Sequence, residues 1–119
     1  MKILIIEDEL YNFRRLSKLL RRQEETADIE GPLTSVCEVR DYFADLGVLP
    51  DLIIADVRLS DGTVFEAFDR SRVVVPVIFT TGYDEYALRA FRYNSIDYLL
   101  KPVEESELKA ALLASSIMP

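Results

Sequence analysis

The chain has 119 residues, one cysteine and no histidine, and its 21 acidic side chains outnumber 14 basic ones to give a net charge of -7 at pH 7. A domain of this length can bury a hydrophobic core without disulfides, and the acidic balance argues against direct binding of nucleic acid. The composition also excludes a disulfide within the chain, Ser-His and Cys-His nucleophile pairs, histidine-ligated zinc and a phosphohistidine carrier.

Apolar runs alternate with segments of helical apolar spacing from one end of the chain to the other. The runs predict strands at residues 3–6, 29–33, 52–55, 75–80 and 97–100. The first two intervening segments carry apolar residues three and four positions apart, at Leu10, Phe13, Leu16, Leu19 and Leu20 and at Val36, Val39, Phe43 and Leu46. This alternation predicts five βα units in one α/β domain, with a parallel sheet covered by helices on both faces.

Two predicted helices have a capping-box pattern at their starts, in which a hydroxyl residue is followed three positions later by glutamate. The second helix has Ser35 and Glu38 in these positions, and the third has Thr63 and Glu66. We therefore expect these helices to begin directly after the two hydroxyl residues.

The N-terminus and the apolar runs bear on localisation. Met1 and Lys2 lead directly into a strand pattern instead of a signal peptide, and no run approaches the roughly 20 apolar residues of a membrane span. We expect a soluble, cytoplasmic protein without a membrane partner.

Polar and charged residues occupy the ends of four predicted strands. Glu7 and Asp8 follow the first, Asp56 the third, Thr81 the fourth and Lys101 the fifth. In an open parallel sheet, ligands bind outside the carboxyl ends of the strands. If the strands adopt the flavodoxin-like order 2-1-3-4-5, all five residues converge on one edge of the sheet.

Three clustered carboxylates repel one another, and partial burial makes each charge costlier, so positive charge must compensate. Lys101 and a divalent cation would do so, and magnesium, or manganese in its place, suits hard oxygen ligands. Such a site would make a carboxylate a usable nucleophile for phosphoryl transfer. Thr81, which precedes the small residue Gly82, could donate to a phosphoryl oxygen. Each residue alone could instead serve as a helix cap or turn residue, and the four strand ends together favour the site.

These residues together resemble a response-regulator receiver domain. The shared motifs are "ED" after the first strand, "D-x-x-L-x-D-G" after the third, "T-G" after the fourth and "K-P" after the fifth. Within that superfamily, "PVIFTTGYDEYALRAF" and "NSIDYLLKP" resemble the receivers of LytTR-type transcriptional regulators. The resemblance spans residues 1–119. It implies a receiver cut from a longer protein, whose DNA-binding output domain is absent from this chain and would make the contact with DNA.

The resemblance implies that Asp56 is the phosphoacceptor and receives its phosphoryl group from the phosphohistidine of a sensor histidine kinase. Asp8 and Asp56 would bind magnesium, with Glu7 acting mainly through water and Arg58 contributing its backbone carbonyl. The domain would assist its own phosphorylation and slow dephosphorylation without being an enzyme for other substrates. In the family the first helix contacts the kinase, so its basic residues could have a docking role or form an ordinary solvated face: Arg14, Arg15, Lys18, Arg21 and Arg22.

The resemblance also implies a switch. Thr81 and Lys101 would hold the phosphoryl oxygens, and a cis bond before Pro102 would direct Lys101 inward. Tyr98 matches the aromatic switch position: Thr81 would move toward the phosphate, and the Tyr98 ring would fill the gap. The face formed by the fourth helix, fifth strand and fifth helix would repack and homodimerise. Tyr98 could otherwise be an ordinary half-buried strand aromatic.

Two other functions fit parts of the pattern. A haloacid-dehalogenase-type phosphatase also uses a strand-end aspartate with magnesium, but it needs a second aspartate two residues later as general acid and base. Arg58 occupies that position here. A receiver-like module that signals without phosphorylation would be expected to lack one of the required residues, whereas this chain has all of them.

Overall fold

A computed structural model describes residues 1–45, 47, 49–71, 74–82 and 95–117. The sheet contains five parallel strands: β1 (Lys2–Ile6), β2 (Asp28–Leu33), β3 (Leu52–Asp56), β4 (Val77–Thr81) and β5 (Ser95–Leu100). The described helices are α1 (Leu10–Gln23), α2 (Val36–Ala44), α3 (Val64–Ser71) and a C-terminal helix (Glu105–Ile117). The fourth predicted helix would fall at residues 83–94, outside the described residues.

The strand order is β2-β1-β3-β4-β5, which confirms the predicted flavodoxin-like topology. Between β3 and α3, residues 58–59 pair antiparallel with residues 62–63 in a two-residue hairpin, which we call the β3–α3 hairpin. Gly62 in this hairpin has a φ of +146°, in the region that favours glycine. The hairpin lies directly beside the carboxyl end of β3.

The central strands β1, β3 and β4 are apolar over most of their length because both faces of the sheet are covered. Alternate residues enter opposite core clusters: Leu4 and Ile53 face one side, whereas Ile3 and Ile54 face the other. Helices α2 and α3 cover the first cluster, and α1 and the C-terminal helix cover the second. Burying each large aliphatic side chain contributes about 1.5–3 kcal/mol, so these strands form a rigid base for the residues at their ends.

Helices α2 and α3 begin directly after the predicted hydroxyl residues, but the capping-box partner of the glutamate differs at α2. Ser35 caps α2 by accepting from the Glu38 N–H at 3.1 Å. The Glu38 carboxylate accepts from the Thr34 N–H at 3.2 Å instead of returning to Ser35. At α3, the Glu66 carboxylate accepts from the Thr63 N–H at 2.7 Å.

The second helix is shorter than its apolar spacing predicts. It ends at Ala44, with Asp45 already extended at φ -82° and ψ 122°. The last predicted residue of this helix, Leu46, lies outside the described residues. Within the described part of the chain, no helix combines the length and apolar character needed to cross a bilayer.

Candidate functional site

The carboxyl ends of β1, β3, β4 and β5 meet at one edge of the sheet and present the predicted site residues there. Asp56 and Thr81 are the last residues of β3 and β4, and Glu7 and Lys101 directly follow β1 and β5. The Lys101 N–H donates to the Thr81 carbonyl at 2.8 Å, which extends the pairing of the last two strands. The backbone thus fixes where each functional side chain begins.

Lys101 bridges two buried carboxylates. Its Nζ lies 2.7 Å from Glu7 Oε1 and 2.8 Å from Asp56 Oδ2. Glu7 and Asp56 are only 3% and 6% exposed. The remaining oxygens accept backbone hydrogen bonds, Asp56 Oδ1 from the Arg58 N–H at 3.3 Å and Glu7 Oε2 from the Glu9 N–H at 3.2 Å. Each buried carboxylate is therefore held at both oxygens.

Burial dominates the electrostatics of this cluster. It raises the pKa of Asp56 and of Glu7, although hydrogen bonds from Lys101 partly offset the effect. Burial, with a smaller effect of the neighbouring Glu7, also raises the pKa of Asp8. Burial disfavours the charged form of Lys101, but its hydrogen bonds to Asp56 and Glu7 outweigh this and raise its pKa. One lysine thus faces three carboxylates, an arrangement that favours an added cation.

The donor set fits a hard divalent cation. One carboxylate oxygen from each of Glu7, Asp8 and Asp56 lies within 4.8 Å of the others, and Asp8 is exposed at the mouth of the site. Oxygen ligands of this kind suit magnesium, which commonly keeps several of its waters. Asp8 and Asp56 line an open cleft of about 380 Å³. Arg58, which the resemblance implies as a ligand through its carbonyl, lines this cleft as well.

The remaining predicted residues lie around this cleft or on the adjacent strand. Thr81 lines the cleft although the residue as a whole is buried, and Gly82 beside it would accommodate a Cβ with no heavy atom within 4 Å. The bond between Lys101 and Pro102 is cis. Tyr98 is half-buried, pairs in register with Phe79 and packs against the core beneath α2 and α3.

Asn12 is a cleft residue that the sequence reasoning missed. It lies in the first turn of α1, and its Nδ2 donates to Glu9 Oε2 at 3.0 Å. Asp8 precedes α1, so the available signal was the place of Asn12 in the first turn of the helix that directly follows Glu7 and Asp8.

A basic groove runs along α1 beside the site. The groove is lined on one side by Glu104 and Glu105. Its cationic residues are Arg14, Arg15, Lys18 and Arg22. Arg22 and Glu105 form an exposed ion pair of 3.6 Å at the far end of the groove. The groove therefore presents positive charge along α1, and Arg15 also lines the cavity that contains Glu7 and Lys101.

A family model for the response regulator receiver domain matches residues 3–113. The sensory transduction protein LytT of Bacillus cereus is 31% identical over 115 residues, which cover 94% of this chain and 46% of that protein. LytR of Streptococcus agalactiae is 34% identical over 119 residues, covering 94% and 46%. The chain thus spans about half the length of these curated relatives. The response regulatory domain of mrkE from Klebsiella pneumoniae superposes with a TM-score of 0.83 at 28% identity, covering 98% of this chain and 96% of that chain.

Proposed function

The chain belongs to the response regulator receiver domain family, a family of two-component signalling domains, and from that premise we propose that Asp56 is its phosphoacceptor. In this proposal an Asp56 carboxylate oxygen attacks the phosphorus of a phosphohistidine on a sensor histidine kinase. The new O–P bond forms as the P–N bond breaks, and the electron pair returns to the imidazole nitrogen. The single observation that carries the proposal is the buried Asp56 carboxylate, bound to Lys101 and bordering the open cleft.

The surrounding residues have matching roles. Lys101 neutralises one phosphoryl oxygen, and the Thr81 hydroxyl donates to another. Magnesium or manganese, held by Glu7, Asp8, Asp56 and the Arg58 carbonyl, would supply the positive charge that offsets repulsion between the carboxylates and the phosphoryl group. Positioning and charge neutralisation are the main requirements for this chemistry. The same site would release the phosphoryl group slowly to water.

Phosphorylation can be tested with a small donor. The chain is incubated with magnesium and acetyl phosphate, and intact mass is measured for wild type, Asp56→Asn and Asp28→Asn. Asp28 is an exposed carboxylate at the start of β2 and serves as the matched control. We expect the mass of one phosphoryl group to be added to wild type and Asp28→Asn and to be missing from Asp56→Asn. A mass gain that survives Asp56→Asn would contradict the proposal. The absence of any mass gain in wild type would also contradict it and would favour an interaction module that signals without phosphorylation.

We also propose that phosphorylation is transmitted through Thr81 and Tyr98 to a dimerisation surface. Thr81 and Phe79 lie two residues apart on β4, and Phe79 is the register partner of Tyr98 on β5. A movement of Thr81 toward the phosphate would open space near the half-buried Tyr98 ring. The surface would comprise β5, the C-terminal helix and the predicted fourth helix, and β5 carries Leu100, which is 47% exposed.

The switch is tested by separating phosphorylation from dimerisation. Tyr98→Ala should leave the phosphoryl mass gain nearly intact and weaken phosphorylation-linked dimerisation in size-exclusion chromatography. Tyr98→Phe retains the ring and should preserve both. Equal loss of phosphorylation and dimerisation in Tyr98→Ala would mean that Tyr98 supports the acceptor site itself.

The output of the signal is proposed from the relatives. The chain spans about half of proteins named as sensory transduction proteins and as a transcriptional regulatory protein. We propose that it acts in the cytoplasm as the receiver of a regulator with a LytTR-type DNA-binding domain. Its acidic net charge supports contact with DNA through that domain and not through the receiver.

A further inference from the structure

Asp61 at the tip of the β3–α3 hairpin binds the N-terminus of a helix from another βα unit. Its Oδ1 accepts from the Val36 N–H at 2.7 Å, and its Oδ2 from the Cys37 N–H at 3.4 Å. Ser35 accepts from the next N–H, that of Glu38. The first three N–H groups of α2 therefore have acceptors, one from the local cap and two from a loop 25 residues further along the chain.

The Asp61 contact is favoured by charge as well as by geometry. The hydrogen bond from Val36 lowers the pKa of Asp61, and the positive charge of Arg40 in α2 adds to this effect. Asp61 is therefore ionised at neutral pH and carries a negative charge at the positive end of the helix dipole. The hairpin tip is thereby attached to α2.

The other end of the same hairpin contacts the phosphoacceptor. The Arg58 N–H donates to Asp56 Oδ1 at 3.3 Å, and Arg58 pairs with Thr63 across the hairpin. Leu59 is buried beside it, which makes the hairpin a packed unit. A displacement of the tip would therefore move the Arg58 backbone relative to Asp56.

We propose that Asp61 is a positioning residue, which fixes the β3–α3 hairpin on α2 and so holds the Arg58 backbone in place for Asp56 and the divalent cation. This inference rests on the proposed function, because the Arg58 carbonyl is a cation ligand only in that function. Residues that orient metal ligands typically change metal affinity by about 10- to 100-fold when they are removed. Loss of Asp61 should therefore weaken cation binding without removing any ligand.

The test compares two caps of the same helix. Ser35→Ala removes the local cap of α2, which has no part in the β3–α3 hairpin. Asp61→Ala removes the acceptor that connects the hairpin to α2. Magnesium affinity is measured by titration calorimetry, and the Arg58 amide is followed by NMR in cation-free protein. We expect Asp61→Ala to bind magnesium about tenfold more weakly and to shift the Arg58 amide signal. Ser35→Ala should lower the thermal midpoint but leave affinity and the Arg58 signal unchanged. Asp61→Asn, which retains an oxygen acceptor for Val36, should recover most of the affinity.

The outcomes separate the two proposals. If wild type neither binds magnesium nor gains a phosphoryl group, the proposed function fails. If wild type does both and Asp61→Ala keeps wild-type affinity, the positioning role is overturned. Equal loss of affinity in Ser35→Ala also overturns it, because α2 capping alone would then explain the effect. Should Asp61→Ala not fold, Asp61→Ser provides the same test, since its short hydroxyl cannot span both amides, and wild-type affinity in that variant overturns the role as well.

Discussion

Replacing Lys101 with methionine would leave two buried carboxylates without their shared cation. Lys101 Nζ lies within 2.8 Å of an oxygen of Asp56 and of Glu7, and the two carboxylate side chains are 7% and 3% exposed. Methionine keeps the length and apolar stem of lysine, so the change removes mainly the charge and the hydrogen bonds. We expect a large loss of stability at pH 7 in the absence of divalent cations.

The loss of folding free energy in Lys101→Met is limited, because a buried carboxylate left without Lys101 can take up a proton. Removing one partner of a buried ion pair commonly costs about 3–5 kcal/mol. A carboxyl group with the ordinary glutamate pKa of 4.5 can instead take up a proton at pH 7 for about 3.4 kcal/mol, because each pH unit corresponds to about 1.4 kcal/mol. We therefore expect the free energy of unfolding to fall by about 3 kcal/mol, which would lower the urea midpoint by about 1–3 M.

The stability deficit of Lys101→Met should decrease as the pH falls. Burial raises the pKa of both Asp56 and Glu7 in the folded protein, so their ionised forms destabilise the fold above the folded-state pKa. Removing Lys101 takes away interactions that lower these pKa values and makes the penalty larger. The deficit of Lys101→Met should be present at pH 7 and should shrink as the pH falls toward the ordinary carboxyl values of 3.8 and 4.5.

Urea denaturation followed by circular dichroism provides the assay, with Arg22→Met as the matched control. Arg22 also pairs with a carboxylate, that of Glu105, but the two side chains are 57% and 41% exposed and the distance is 3.6 Å. Loss of this exposed pair should cost at most about 1 kcal/mol. A deficit in Lys101→Met no larger than that of Arg22→Met at pH 7 would refute the reasoning, as would a deficit that does not change with pH.

Three further predictions concern stability and titration. Among the described residues the buried Ser17 hydroxyl of α1 has no hydrogen-bond partner, so Ser17→Ala should raise the free energy of unfolding by about 1 kcal/mol in urea denaturation; a loss of stability would contradict this. Gly62→Ala should lower the free energy of unfolding by about 1–3 kcal/mol, because φ is +146° and an added Cβ would overlap the Glu66 carboxylate. Gly82→Ala is the control and should stay within about 0.5 kcal/mol of wild type. Equal effects of the two substitutions would contradict this prediction. Burial and a hydrogen bond to Glu30 raise the pKa of Tyr42 to about 12, so one tyrosine should titrate late in ultraviolet absorbance, and Tyr42→Phe should remove that late transition.

The strand order and the acidic edge of the sheet were accessible from the sequence pattern. Strands β1, β3 and β4 are nearly continuous apolar runs, which identifies strands covered on both faces. Because parallel strands align their carboxyl ends, residues that end such runs must share one edge. Glu7, Asp56 and Lys101 could therefore be assigned to a common site before any distance was known.

Helix boundaries were predicted less completely. The hydroxyl at Ser35 indicated where α2 begins, since the capping interaction is local. The glutamate of the same motif bonds to Thr34 instead, and the helix ends at Ala44, before the last residue of its apolar pattern. Apolar spacing reports which residues could face the core in a helix, but packing of the folded chain determines how far the helix continues.

Residue types and spacing determined the fold class, the edge of the sheet that bears the site and the chemical character of that site, because these depend on periodicity and strand direction. Tertiary packing determined which charged and polar groups satisfy one another. Lys101 bonds to Glu7 across 94 residues of sequence, and Asp61 bonds to Val36 across 25. Each contact depends on differences of a few tenths of an ångström, which are set by how helices on both faces pack against the sheet.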